Sequence, residues 1–208
     1  MKIIAIEKNE KVSSMSTVYL ENNTSFCLPQ KRIALLELRE EKDIADDTLS
    51  YIIDTEVYAS AKSAAVSFLA LKLRTAREVE QKLTDMGYET GTIERVIENL
   101  KEINYIDDYN YAFKYISEKS KLKPKSIKLL SVELSQKGIA DDIISEAFEA
   151  SEVDEGEVAL ELLRKKFSKY TAFDDKLIHR MKTFLMSRGF SYSQISKAVS
   201  SFLPEDLY

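Results

Sequence analysis

Three glycines, Gly87, Gly138 and Gly189, stand at an identical spacing of 51 residues, and the apolar residues around them keep step. Val79, Leu130 and Met181 lie eight positions before the glycine, and Leu83, Leu134 and Leu185 four before it. Tyr88, Ile139 and Phe190 follow it directly. Six, nine and ten positions after it come Ile93, Val96 and Ile97, then Ile144, Ala147 and Phe148, then Ile195, Ala198 and Val199. A fixed period with no intervening insertion means one supersecondary unit used three times.

Apolar positions at i and i+4 ahead of a glycine describe a helix that stops where glycine takes a left-handed backbone. A short polar turn follows, then a second apolar helical face. An earlier helix keeps the same register in each unit: Ala61, Ala65 and Phe68; Ala112, Ile116 and Lys119; Leu163, Phe167 and Tyr170. The fold class is therefore mainly α: tandem three-helix repeats forming an elongated curved array. Thr75 with Glu78, and Ser191 with Gln194, have the spacing of capping boxes, and Ser126 is placed to cap a helix after Pro124. The third helix of the first unit is expected to bury Ile103 as well as Leu100.

Ahead of the array stands a small N-terminal β-ribbon. Residues 2–7 and 16–20 alternate at period two, which predicts Ile4 and Ile6, with Val18 and Leu20, on one face. Residues 21–24 form the turn, and Ser25 to Leu28 the return strand. Pro29 opens a short helix carrying Ile33, Leu36 and Leu38 and ending near Lys42. Residues 149–157 read as an acidic linker around Gly156. The division is 1–54 for the ribbon and short helices, then repeats over 55–105, 106–156 and 157–208.

Composition and motifs exclude several functions. No run approaches the ~18 apolar residues of a membrane span. Cys27 is the one cysteine, which fits a reducing cytoplasm. His179 is the one histidine and has no metal-site or triad spacing. No glycine loop for phosphate is present. Four Asp-Asp pairs (Asp46-Asp47, Asp107-Asp108, Asp141-Asp142, Asp174-Asp175) each precede an apolar helical face. Hard-cation binding is the functional reading of such pairs, and helix capping the simpler one. No cofactor is expected.

The net charge of −5 argues against a general nucleic-acid coat, but the charge is uneven. Lys119, Lys121, Lys123, Lys125 and Lys128 cluster in the second repeat. Arg164, Lys165, Lys166, Lys169, Arg180, Lys182 and Arg188 cluster in the third, and Arg74 and Arg77 lie in the first. Between the two clusters, residues 141–157 contain no Lys or Arg. These cations are the candidate partner-binding residues, facing a partner of mixed charge such as a protein coated on nucleic acid. A helical-repeat protein that contacts DNA phosphates directly is the alternative. A metal-dependent enzyme using the Asp pairs is the third.

The segments Leu73-Arg74-Thr75-Ala76-Arg77-Glu78-Val79, Lys82-Leu83 and Gly87-Tyr88 resemble the RecX regulatory protein family. So do Leu100-Lys101-Glu102-Ile103-Asn104-Tyr105-Ile106-Asp107-Asp108, Tyr111-Ala112, Lys123-Pro124-Lys125, Glu133-Leu134 and Lys137-Gly138-Ile139. The likeness is strong from about Thr55 to Ala150 and looser to Phe202. Family members often carry Gly where this chain has Ser126, and more Arg where it has Lys. The resemblance implies a non-enzymatic protein that binds the RecA recombinase in the deep groove of its filament on single-stranded DNA. It implies restraint of recombination, strand exchange and co-protease activity, hence a place in DNA repair and the SOS response. DNA contact is expected to be weak or indirect, and the protein a cytoplasmic monomer that touches no membrane.

Overall fold

The structure, a computed structural model, describes residues 1–204. The chain forms two compact units, Met1–Asp107 and Asp108–Tyr208.

The first unit opens with an antiparallel meander of β1 (Ile3–Lys8), β2 (Met15–Leu20) and β3 (Ser25–Pro29), in that spatial order. Asn23 turns the second hairpin with φ at 63°, a conformation Asn tolerates better than most residues. The expected face of β1 is corrected at one position. Ile3 is fully buried and Ile4 is 50% exposed. The register shifts between Ile3 and Ala5, so Ile3 faces Leu20 while Ile6 faces Val18. This bulge puts residues three apart on one face, which strict alternation cannot anticipate.

Helix α1 (Gln30–Leu35) is shorter than expected, since the sequence predicts a helix running to about Lys42. Glu37 at φ 51° ends it. The chain then runs along the edge of β1: Ile3 donates to Lys42 O, Glu41 to Ile3 O and Ile44 to Met1 O. Buried Leu38 and Ile44 anchor this cover, which satisfies edge groups that would otherwise be exposed.

Next comes one helical run made of α2 (Asp46–Tyr51), a π-helical segment (Ile52–Val57) and α3 (Tyr58–Leu69). The wider turn brings Ile52, Glu56 and Val57 to the buried side together. Glu56 is buried against Arg32 and receives the Tyr51 hydroxyl at 3.3 Å. Hydrogen bonding from Arg32 holds its carboxyl below the usual range.

Helices α3, α4 (Ala76–Asp85) and α5 (Thr90–Glu102) form the first repeat. The Thr75–Glu78 capping box is present. Gly87 has φ at 90°; its amide bonds Thr84 O and the Tyr88 amide bonds Leu83 O. That is the Schellman pattern, and the buried Tyr88 packs back as the motif requires. The same pair of bonds closes at Gly138 (φ 83°) and Gly189 (φ 85°). Leu83, Leu134 and Leu185 are fully buried in all three repeats. Ile103 is a correction: it follows the end of α5 and is exposed, and Ile106 is buried in its stead. Asn104 at φ 57° turns the chain between them.

The second unit comprises α6 (Asp108–Leu122), α7 (Ile127–Gln136) and α8 (Asp141–Ser151), then α9 (Glu155–Phe167), α10 (Asp175–Met186) and α11 (Tyr192–Phe202). Each trio has its own core. One is built on Ala112, Ile116, Leu130, Leu134, Ile144 and Phe148. The other is built on Leu163, Phe167, Met181, Leu185, Phe190 and Ile195. The expected linker over 149–157 shrinks to the turn between α8 and α9. Glu152 turns left-handed at φ 50°, Asp154 caps α9, and Gly156 falls inside the first turn of α9. Acidic composition here is helix-start chemistry, not a spacer. Tyr170 lies beyond α9 and is exposed, unlike its expected counterparts Phe68 and Lys119. The Asp-Asp pairs supply first-turn charge at α2, α6, α8 and α10, and Asp174 accepts the Leu177 amide.

Candidate macromolecule-docking groove

The two repeats of the second unit meet at a joint of backbone and carboxylate bonds. The Ser126 amide donates to Arg188 O at 3.0 Å. Ser126 also caps α7 through its hydroxyl, which accepts the Leu129 amide. The Glu155 carboxylate accepts the Ile127 amide at 2.6 Å and the Gln194 side-chain amide on its other oxygen. Gln194 in turn accepts the Ser191 amide in the capping box of α11. Glu155 thus satisfies an orphan amide of a helix in the neighbouring repeat.

This joint draws the α6–α7 loop toward α9 and the α10–α11 turn. Between them lies a groove of about 570 Å³. Lys121, Lys123, Lys125, Lys165 and Arg188 line it over a floor that includes Leu129 and Leu162. Pro124 is buried and fixes the loop. Leu122, also at the groove, is 79% exposed. A second concavity, of about 460 Å³, shares Ser187 and Arg188 with the first. Lys166, His179, Arg180 and Phe184 line it. Lys166 Nζ lies 3.9 Å and Arg188 Cζ 4.0 Å from the centre of the Phe184 ring. The ring's negative faces hold both cations in place without neutralising them. Arg164, Lys165 and Lys166 end α9, where the helix dipole favours positive charge.

Not every candidate cation belongs to this surface, and some are already paired. Lys125 is bound to Glu133, which also accepts the Tyr115 hydroxyl at 2.9 Å. Burial alone would raise the Glu133 carboxyl, but the bonds from Lys125 and Tyr115 outweigh it and hold the group below its ordinary value. Burial, reinforced by Glu133, pushes Tyr115 up to about 12. Arg164 pairs with Glu157 at 2.9 Å and Lys165 with Glu161 at 2.7 Å, both among exposed groups. Lys119 lies over the Tyr115 ring at 5.1 Å, and Arg180 over Tyr170 at 5.9 Å. Lys128 and Lys169 are exposed and Lys182 is half-buried, none of them lining either concavity. Arg74 and Arg77 belong to the first unit; Arg74 stacks on Phe68 at 4.0 Å and Arg77 is exposed on α4.

Phe184 and the floor leucines were not foreseen; Phe184 stands four residues after Arg180 on α10 and four before Arg188, which lies in the turn past the helix end, a spacing that sequence alone could have offered. Among the described residues, no group of three or more His, Cys, Asp or Glu is arranged to hold a metal ion. No helix among them is long and apolar enough to cross a membrane.

Three-helix units repeated along the chain define a helical-repeat protein. Family models described as the first, second and third three-helix domains of RecX match residues 61–100, 107–147 and 153–199. A "Regulatory protein RecX" of Clostridium acetobutylicum is 31% identical over 98% of this chain and 97% of its own length. One from Clostridium botulinum is 28% identical over 100% of this chain and 99% of its own. The crystal structure of RecX from Lactobacillus salivarius is similar with a TM-score of 0.63 at 28% identity, over 73% of this chain and 97% of that one. The chain belongs to the RecX family.

Proposed function

We propose that this protein binds the RecA recombinase filament on single-stranded DNA and slows filament extension or strand exchange. The observation that carries the reading is the groove in which cations from two successive repeats of a RecX-family chain converge. A filament offers acidic protein surface and phosphates side by side. Clustered cations over an apolar floor suit such a target, because complementary charge steers the encounter and sets the register. The protein acts in the cytoplasm as a monomer, with the ribbon segment and three repeats as its building blocks.

The test compares inhibition of RecA strand exchange by wild type and by a variant with Lys121, Lys123 and Lys165 changed to Glu. Lys125 is left in place because it holds Glu133. Each reversal should weaken binding by about 1 kcal/mol at low salt. Equal inhibition by both proteins, at matched salt and concentration, would remove this groove from the interface. The second reading, direct DNA binding, draws on the cations held around Phe184. It requires DNA affinity without RecA and a steep loss of that affinity with salt.

A further inference from the structure

The first unit carries a groove of the opposite character. Helices α4 and α5 enclose a concavity of about 610 Å³ whose floor includes Ile93 and Ile97 and whose rim carries Glu80, Glu94, Glu98 and Glu102. The last three follow one another at i, i+4 along α5, about 6 Å apart along the axis. All four carboxylates are exposed, and among the described residues none of them has a salt bridge. Among the described residues, Lys101 is the one cation lining the groove.

The fold gains little from this arrangement beyond the opposite charges of Arg95 and Lys101, three positions either side of Glu98. Like charges at i, i+4 oppose a helix. Glu102 is the last residue of α5, at the negative end of the helix dipole. None of the three caps the helix, whose N-cap is Glu89. Charges kept against local stability around an apolar floor mark a surface shaped by a partner.

We infer that this groove docks a helix of a protein partner that carries lysines or arginines one helical turn apart, beside small apolar side chains. The carboxylate ladder has the period of such a helix, and the half-buried Ile97, over the buried Ile93, meets its apolar residues, as in helix-in-groove recognition. Nucleic acid is a poor occupant, because the ladder repels phosphates. A metal ion is excluded by the absence of a ligating cluster among the described residues. The inference is independent of what fills the basic groove of the second unit.

The experiment uses the full chain and a fluorescent alanine-based helical peptide of about 16 residues, with lysine at every fourth position and leucine beside it. Anisotropy should show saturable binding. Glu94→Gln with Glu98→Gln should weaken it about tenfold, and Ile97→Asn should weaken it as well. The control, Glu146→Gln with Glu149→Gln, removes the same charge from exposed positions on α8 and should leave binding within about twofold. The melting temperature of the Glu94/Glu98 variant should not fall, which separates docking from folding. Equal loss in the groove and control pairs would overturn the inference, since net charge alone would then explain the binding. So would a lack of saturation, or self-association that the groove pair abolishes, which would make the occupant a second copy of this chain.

Discussion

The Ser126 amide donates to the carbonyl of Arg188 at 3.0 Å, and in the first unit the Cys27 thiol donates to the carbonyl of Met86 at 3.1 Å. Both acceptors stand one residue before a repeat glycine. The glycine then has a steric role besides its positive φ. A β-carbon on Gly189 would stand 2.6 Å from Ser126 Oγ and 3.0 Å from the Leu129 β-carbon. One on Gly87 would meet Asn9 Nδ2 at 3.0 Å and Cys27 Sγ at 3.1 Å.

Gly189→Ala should therefore lower stability by about 2–3 kcal/mol, combining left-handed strain with the close contact. Gly138→Val should also destabilise, since its φ of 83° is hostile to a β-branched residue. Gly91→Ala is the contrast. It lies in α5 with nothing within 4 Å of an added β-carbon, and should raise stability by about 0.5–1 kcal/mol. Urea unfolding of the three variants checks the order.

Two tyrosines should titrate late. Burial raises Tyr88, which shares a 2.7 Å hydrogen bond with Ser60, to about 12. Tyr115 in the second unit is raised as far. Between about pH 10 and 12 the unfolded chain has released these protons and the native chain has not. Their contribution is thus complete below pH 10 and lost as pH climbs toward 12. Absorbance at the phenolate band should show most tyrosines ionising first, with the last steps accompanying unfolding.

Glu133 runs the other way. Its folded carboxyl is lowered, so its stabilisation is present above the ordinary carboxylate range and lost as pH falls through the folded value. Glu133→Gln should cost about 1–2 kcal/mol near neutrality, and the gap to wild type should close in acid. A gap that stays constant down to the acid transition would show that Lys125 and Tyr115 do not act through its charge.

Glu155→Ala should loosen the joint between the second and third repeats by about 1–3 kcal/mol, because the Ile127 amide loses its acceptor. Glu157→Ala, at an exposed pair two residues on, should change stability by under ~0.5 kcal/mol. Hydrogen exchange at the Ile127 amide should quicken in the first variant and not in the second.

The repeats were legible because each glycine, with its leucine four before and apolar residue one after, states a complete helix stop. The capping boxes at Thr75 and Ser191 were legible for the same local reason. The bulge that hides Ile3 and exposes Ile4 has no signature of its own. Nor does the edge cover that replaces a longer helix after Pro29. The groove was half legible: its cations are plain in the sequence, but the bond that assembles them is between backbone atoms of Ser126 and Arg188. The acidic groove was missed because Glu94, Glu98 and Glu102 look like an ordinary solvated helix face until Ile93 and Ile97 are seen beneath them.

That both docking bonds end on a main-chain carbonyl has a consequence for how such a chain can change over generations. Any amino acid supplies that acceptor, so the position before the glycine is spared from selection by the joint. It is Met86 in one repeat and Arg188 in another, the latter released to serve the basic surface. A duplicated unit would bring its own docking point with it, and its exterior could drift toward a new target while the way it is fastened to its neighbour stayed the same.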